Sequence, residues 1–213
     1  ISNTLMIEAK YNHSNEFVRL LLEHVIYSLN REQSSKYQFE LGGAVILKIV
    51  KSLIESNNKI NGALSTKFLF TALQGPSDMR EIALDILLNY ITSNVSIYLA
   101  FVKQGGFYIT LYSLRNDFAN YKILNKLYGA TFGLDFLENE IYTLSELAAR
   151  THTKEVRSVK NTYYFTLLTN LMRFGANSMI SEDVIRDYVN MLFILKKNDE
   201  FTAKFLMNTE LIN

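Results

Sequence analysis

The side chains that could do chemistry are few, and their spacing does not suit it. The chain has three histidines, His13, His24 and His152. Metal ligation on a helix needs imidazoles at i and i+4, or a Cys/His cluster. His13 and His24 stand 11 residues apart, with no third ligand near them. His24 falls on an apolar face, which predicts a satisfied, buried or half-buried imidazole. Cysteine is absent, which removes thiol nucleophiles, disulfides and thiolate metal sites. Serines are many, but none sits in a G-x-S-x-G elbow. No phosphate loop of the G-x-x-x-x-G-K-[ST] or G-x-G-x-x-G type occurs, and the doubled glycines lack the Lys that would reach a phosphate. The acidic pairs Glu138/Glu140 and Glu182/Asp183 sit near helix starts, where the dipole accounts for them. No catalytic residue, cofactor or metal is therefore expected.

Two further clusters invite a binding role. Arg150, Lys154, Arg157 and Lys160 recur at 3–4 spacing across the start of a long helix and would share one side of it. They form a candidate basic patch for an acidic partner or a phosphoinositide head group. A solvated face, partly balanced by Glu155, is the plainer alternative. Tyr163-Tyr164-Phe165 resembles a platform for stacking bases. At consecutive helical positions, however, the three rings point in different directions, so core packing is expected.

The bulk numbers set the elements that must position these residues. Lys and Arg total 22 against 21 Asp and Glu. The balance holds in each half, 10 against 9 through Gly106 and 12 against 12 after it. Nothing in those totals points to nucleic acid or acidic lipid. Hydrophobic residues make up 48% of the 213, enough for a sizeable core. The single proline favours a mostly helical chain over a turn-rich β protein. Apolar runs such as Ala44–Leu47 and the one within Ser96–Val102 fall short of the roughly 18 residues of a membrane span. The chain opens Ile1-Ser2-Asn3 without Met or a basic-then-apolar leader. A fragment of a much larger cytoplasmic protein, without signal peptide, is the expectation.

Helical periodicity dominates the pattern. Ser14 caps a helix presenting Phe17, Leu20, Leu21, His24 and Val25. Gly42-Gly43 is read as a break before Val45–Ile54. Another helix is expected over about Ile60–Leu73, and Gly75-Pro76-Ser77-Asp78 is the strongest break. Met79, Ile82, Ala83, Ile86, Leu87 and Tyr90 follow as an apolar face. Asn94 starts a short helix ended by Gly105-Gly106, and Phe107–Leu114 continues. A turn at Asn116-Asp117 precedes a helix closed by Gly129 or Gly133. Phe136, Leu137, Ile141, Leu144, Leu147 and Ala148 form the next stripe. A long helix is expected over about Lys154–Phe174, ended by Gly175. Ser181 caps another through about Lys197, and Asp199 opens a last short one. No strand alternation appears. The expected fold is all-α, about ten helices in a single domain over 1–213.

Both glycine pairs read as helix end, pair, helix start, about 63 residues apart. Helical repeats of armadillo type run about 40–47 residues, so the spacing is not one clean repeat. Degenerate helical stacking is expected nonetheless, as an armadillo/HEAT-like right-handed superhelix with a concave binding face.

Three blocks occur in a suggestive order. Met79-Arg80 through Asn89-Tyr90 places Arg80, Ala83, Leu84, Leu87 and Tyr90 along one helix. Gly105-Gly106-Phe107 then leads to Leu111, and Asn120-Tyr121 leads through Leu124 and Leu127 to Gly129. In this order the segment Asp78–Gly133 resembles the armadillo-like helical region upstream of the PH and BEACH domains in BEACH-family proteins (neurobeachin-like and lysosomal-trafficking-regulator-like). The likeness covers about a quarter of the chain and departs from the pattern at Thr131-Phe132-Gly133. It implies a non-enzymatic scaffold in vesicle trafficking and membrane-protein sorting, with other proteins as partners. It also implies a cytoplasmic location peripheral to endomembranes through the parent protein. No binding residue of that family transfers to this sequence. Two alternatives stay open: a formin-type regulatory armadillo region binding small GTPases of the Rho family, and an all-α enzyme with a site not visible in sequence.

Overall fold

The computed structural model describes residues 14–30, 36–56, 65–92, 94–134, 140–153, 159–176 and 182–198. Among them are ten helices and no strand. In chain order these are α1 (Ser14–Asn30), α2 (Lys36–Ser56), α3 (Thr66–Ala72), α4 (Ser77–Thr92) and α5 (Val95–Lys103). Then follow α6 (Gly106–Leu114), α7 (Tyr121–Phe132), α8 (Leu144–Thr153), α9 (Thr162–Ala176) and α10 (Glu182–Asn198). The chain divides into two compact units, one ending at Ser113 and the other beginning at Leu114.

The first unit is built around α4. Met79, Ala83, Leu84, Ile86, Leu87, Leu88 and Ile91 are all buried on it. Three consecutive buried positions, Ile86–Leu88, cannot share one face of a 3.6-residue helix, so α4 is covered from several sides. Helices α2, α3 and α5 all pack against it, and α1 packs on α2 and α3. Pro76 precedes the first turn of α4, where no N–H is required of it. Its carbonyl accepts the Arg80 N–H at 3.0 Å, and the Arg80 guanidinium reaches the Gly75 carbonyl at 2.6 Å. Caps punctuate the shorter helices: Ser65 Oγ accepts the Phe68 N–H, and Asn94 Oδ1 accepts the Ser96 N–H.

The two glycine pairs behave differently. Gly105-Gly106 does separate two helices. Gly105 adopts φ +71°, in the left-handed region where a Cβ is strained. A methyl group at Gly106 would lie 2.6 Å from the Phe101 ring. Gly42-Gly43, expected to break the chain, lies inside α2, which runs unbroken through both. The reason is packing. A methyl group at Gly43 would sit 2.7 Å from Met79 Sδ, so the bare backbone lets α2 close on α4. Glycine costs a helix interior about 1 kcal/mol, and burial of Leu47, Val50 and Leu53 a turn later offsets it.

In the second unit α7 packs on α8 and α9, and α10 packs on α8 and α9. Asn120 caps α7 through the Lys122 and Ile123 N–H groups. Gly133, rather than Gly129, closes it, at φ +64° with the Leu134 N–H returning to the Gly129 carbonyl. Other boundaries move from the expected ones. Among the described residues of the Phe136–Ala148 stripe the helix begins at Leu144, and Ile141 is exposed. The expected long helix from Lys154 begins instead at Thr162, capped by Asn161 Oδ1 on the Tyr163 N–H. Residues 57–64, Phe136, Leu137, Ser181 and the helix expected from Asp199 lie outside the described residues.

Candidate functional site

The expected basic patch is not one helix face. Arg150 stands on α8, whereas Lys160 lies in the link before α9. Lys154 and Arg157 lie outside the described residues. The link at Val159–Asn161 is not helical because its backbone is used elsewhere. The Lys160 and Asn161 N–H groups both donate to the Thr131 carbonyl, at 2.9 and 3.1 Å. The Lys160 stem lies across Gly133, close enough that a methyl group there would meet its Cδ at 2.7 Å. Its ammonium thus sits at the C-terminal end of α7, where the helix dipole favours a cation. Arg150 stacks 3.9 Å above the Tyr142 ring and donates to its hydroxyl at 2.9 Å. Both described members of the patch are therefore engaged in holding their own unit together.

The other candidates resolve in the same direction. His24 is exposed, not buried, because its helix turns Val18, Leu22 and Val25 inward instead. His13 and Glu138 lie outside the described residues, and His152 belongs to the last turn of α8. Among the described residues no group of three His, Asp or Glu is placed to hold a metal ion. Glu182 and Asp183 occupy the first turn of α10 and face Arg186 at 3.8 and 3.7 Å. Of the aromatic run, Tyr163 is exposed while Tyr164 and Phe165 are buried.

Among the described residues the densest polar arrangement is centred on Asp187. Its carboxylate is buried on α10 and faces the N-terminus of α8. Oδ2 accepts the Leu144 N–H at 2.7 Å and the Tyr121 hydroxyl at 3.2 Å. Oδ1 accepts the Ser145 N–H at 3.0 Å and the Ser145 hydroxyl. Two orphan amides of α8 are thereby capped by a carboxylate from another helix, at the positive end of the dipole. The first turn of α8 has a local cap as well. Thr143 Oγ1 accepts the Glu146 N–H, and the Glu146 carboxylate accepts the Thr143 N–H at 2.8 Å. That bond holds the Glu146 carboxyl below its ordinary range. Asn125, buried on α7, exchanges two hydrogen bonds with the backbone of Tyr142, at 2.8 and 2.9 Å.

Burial raises the phenols around this framework. Tyr121 is pushed up to about 12, by burial first and then by the Asp187 charge and hydrogen bond. Tyr188, donating to Thr169 Oγ1, is likewise raised to about 12 by burial. Tyr128, bonded to Thr151 at 2.8 Å, is raised by burial too. None of these groups reaches a titration range useful for acid–base work near neutrality. Their hydrogen bonds join α7, α8, α9 and α10.

Helices α5, α6 and α10 each expose large apolar side chains. On α10 the buried residues are Val184, Asp187, Tyr188, Met191 and Leu195. The outer side carries Val189 and Phe193 one turn apart, exposed by 40% and 66%, between the exposed Arg186 and Lys196. On α5 and α6 the exposed large residues are Val95, Leu99, Tyr108, Ile109 and Tyr112. Among the described residues no single helix is long and apolar enough to cross a membrane. One signal for Asp187 was present in the sequence, a lone acid on the apolar stripe of its helix. No protein-family model, curated protein or solved structure matches the chain.

Proposed function

We propose that this chain is a non-enzymatic, protein-binding helical module, stacked in the armadillo-like manner and belonging to a large BEACH-type trafficking scaffold. The outer face of α10 carries the reading. Val189 and Phe193 present adjacent apolar side chains at i and i+4, the spacing with which one helix engages another. The same helix is held from behind by the Asp187 cap, so its exposed face is pre-organised. Lys196 flanks the apolar pair at one end and Arg186, paired with Glu182 and Asp183, at the other.

A photo-crosslinking residue at position 193 in the whole chain tests this. The expected product is a covalent adduct with one protein. The purified pair then forms a saturable complex, which Phe193→Asp abolishes while leaving the thermal midpoint unchanged. A complex that Phe193→Asp does not weaken would remove α10 as the contact. Selective binding to GTP-loaded over GDP-loaded Rho-family GTPase would replace the BEACH-type reading by the formin-type one.

A further inference from the structure

We propose that the outer stripe of α10 pairs with the same stripe of a second copy of this chain, antiparallel and two-fold symmetric. The inference rests on the protein-binding reading of α10 and names its partner.

The spacing of the stripe is the first observation. Glu182, Arg186, Val189, Phe193 and Lys196 follow one another at intervals of 4, 3, 4 and 3 residues, and all five are exposed. That alternation keeps them on one side of a helix and is the spacing of a seam between two helices. Phe193, 66% exposed, and Val189 form its apolar centre. The inner side of the same helix is committed. Asp187 caps α8, Tyr188 bonds to Thr169, and α10 packs on α8 and α9.

The order of the side chains is the second observation. Taken from its two ends inward, the stripe complements itself. An antiparallel copy centred on Val189 sets Val189 against Val189, Arg186 against Phe193, and Glu182 against Lys196. The first pair excludes water from the two-fold axis, the second lays a guanidinium on an aromatic face, and the third joins opposite charges. Each unlike pair occurs twice, as an isologous contact requires. Moving the centre to residue 191 would set Val189 against Phe193 but Arg186 against Lys196, two like-charge meetings. A parallel pair would set every charge against its own copy. Charge thus selects one orientation and one register.

The neighbours of Arg186 do not withdraw it from this seam. It faces Glu182 at 3.8 Å and Asp183 at 3.7 Å, with both carboxylates more than 90% exposed. Ion pairs so exposed contribute little. Asp183 lies off the stripe and continues to orient Arg186 when Glu182 turns to the lysine of the second copy. Two apolar side chains per copy place the seam at the small end of interfaces, so micromolar association is expected.

Analytical ultracentrifugation of the whole chain is the test. The mass is expected to rise from 24.5 kDa toward twice that value as concentration climbs from about 1 to about 300 µM. Glu182→Lys and Lys196→Glu should each weaken the dimer by about tenfold or more, and an equal mixture of the two should restore it. Phe193→Asp should leave a monomer. These positions are exposed, and unchanged helical circular dichroism confirms that the variants fold. Because the chain has no cysteine, Val189→Cys supplies a single thiol at the two-fold axis and should form a disulfide-linked dimer on oxidation. Glu182→Cys, about 21 Å from its own copy in this register, should not. The proposal is overturned by a monomer at every concentration, by charge variants that stay dissociated when mixed, or by Glu182→Cys linking as readily as Val189→Cys. If the chain is a monomer and position 193 crosslinks to a different protein, the second copy is excluded and the protein contact of α10 stands. If position 193 crosslinks to nothing, both fall.

Discussion

The two compact units hold their helices by different means. The first unit relies on apolar fit around α4, with Gly43 against Met79 and Gly106 against Phe101 removing the side chains that would hold backbones apart. Its described polar links between helices include the half-buried Lys51–Asp85 pair. The second unit threads polar contacts through its core: Asp187 onto α8, Asn125 onto Tyr142, Tyr128 onto Thr151 and Tyr188 onto Thr169. Apolar burial is non-directional and tolerates repacking. A buried carboxylate facing two amides and two hydroxyls tolerates very little. The first unit is thus defined by shape, the second by hydrogen-bond partners as well.

The largest expected effect breaks the polar side of that contrast. Asp187→Ala strands the Leu144 and Ser145 amides and the Tyr121 hydroxyl, and should cost about 4 kcal/mol at a cost of about 1–3 per buried unsatisfied group. Asp187→Asn keeps the shape and one acceptor oxygen, so it should cost clearly less. Denaturant unfolding measures both, and hydrogen exchange at the start of α8 places the loss. An alanine variant within 1 kcal/mol of the original would mean that the carboxylate is not the clamp.

On the apolar side the counterpart is Leu87→Ala. Leu87 is 1% exposed at the centre of α4, and its removal should cost about 2–5 kcal/mol. Leu87→Met, which conserves volume, should cost less than about 1.5 kcal/mol. That tolerance is the point of difference from Asp187, for which no apolar replacement satisfies the amides. A penalty for Leu87→Met as large as for Leu87→Ala would show that the first unit is as exacting as the second.

Alkali should also tell the units apart. Tyr121 and Tyr188 ionise near 12 in the folded chain, against about 10 when unfolded. A raised acid favours the folded state only while the proton stays on, so the contribution is complete below pH 10. It is lost progressively as pH climbs from about 10 toward 12, because the unfolded chain then releases protons that the folded one retains. Among the described residues the second unit holds three raised phenols, Tyr121, Tyr128 and Tyr188, and the first holds Tyr90. Exchange protection should therefore fall first in α7–α10. Simultaneous loss throughout α1–α5 would contradict that assignment.

The elements were largely legible in the sequence, because apolar residues at 3–4 spacing have one economical explanation. Asn94 and the break at Pro76 marked helix starts that the structure keeps. What failed were inferences that needed a third dimension. Arg150 and Lys160 share a helical spacing, yet a backbone link to Thr131 interrupts the helix between them. His24 sits among apolar neighbours in sequence, but those at i−6, i−2 and i+1 take the inner face. Asp187 was visible as an acid on an apolar stripe, and Thr143-Leu144-Ser145-Glu146 as a capping box. Their meeting depends on how α10 packs on α8, which no local pattern encodes. Of the two glycine pairs behind the expected armadillo-type stacking, only Gly105-Gly106 separates helices.

Those glycine pairs give the smallest effects and the sharpest reversal of sign. Gly105 has φ +71° and open space around it, so an alanine there meets no neighbour but must occupy the left-handed region. The expected cost is about 1–2 kcal/mol, purely from the backbone. Gly42 lies in the interior of α2, is exposed, and also has nothing within 4 Å of an added methyl group. Its backbone is already helical, so Gly42→Ala removes freedom from the unfolded chain without strain and should stabilise by about 0.5–1 kcal/mol. Urea midpoints of the two single variants, at unchanged slope, decide the matter. Opposite shifts follow if only Gly105-Gly106 is a helix junction. Destabilisation by both would mean that α2 bends at Gly42 and that the two pairs are equivalent after all.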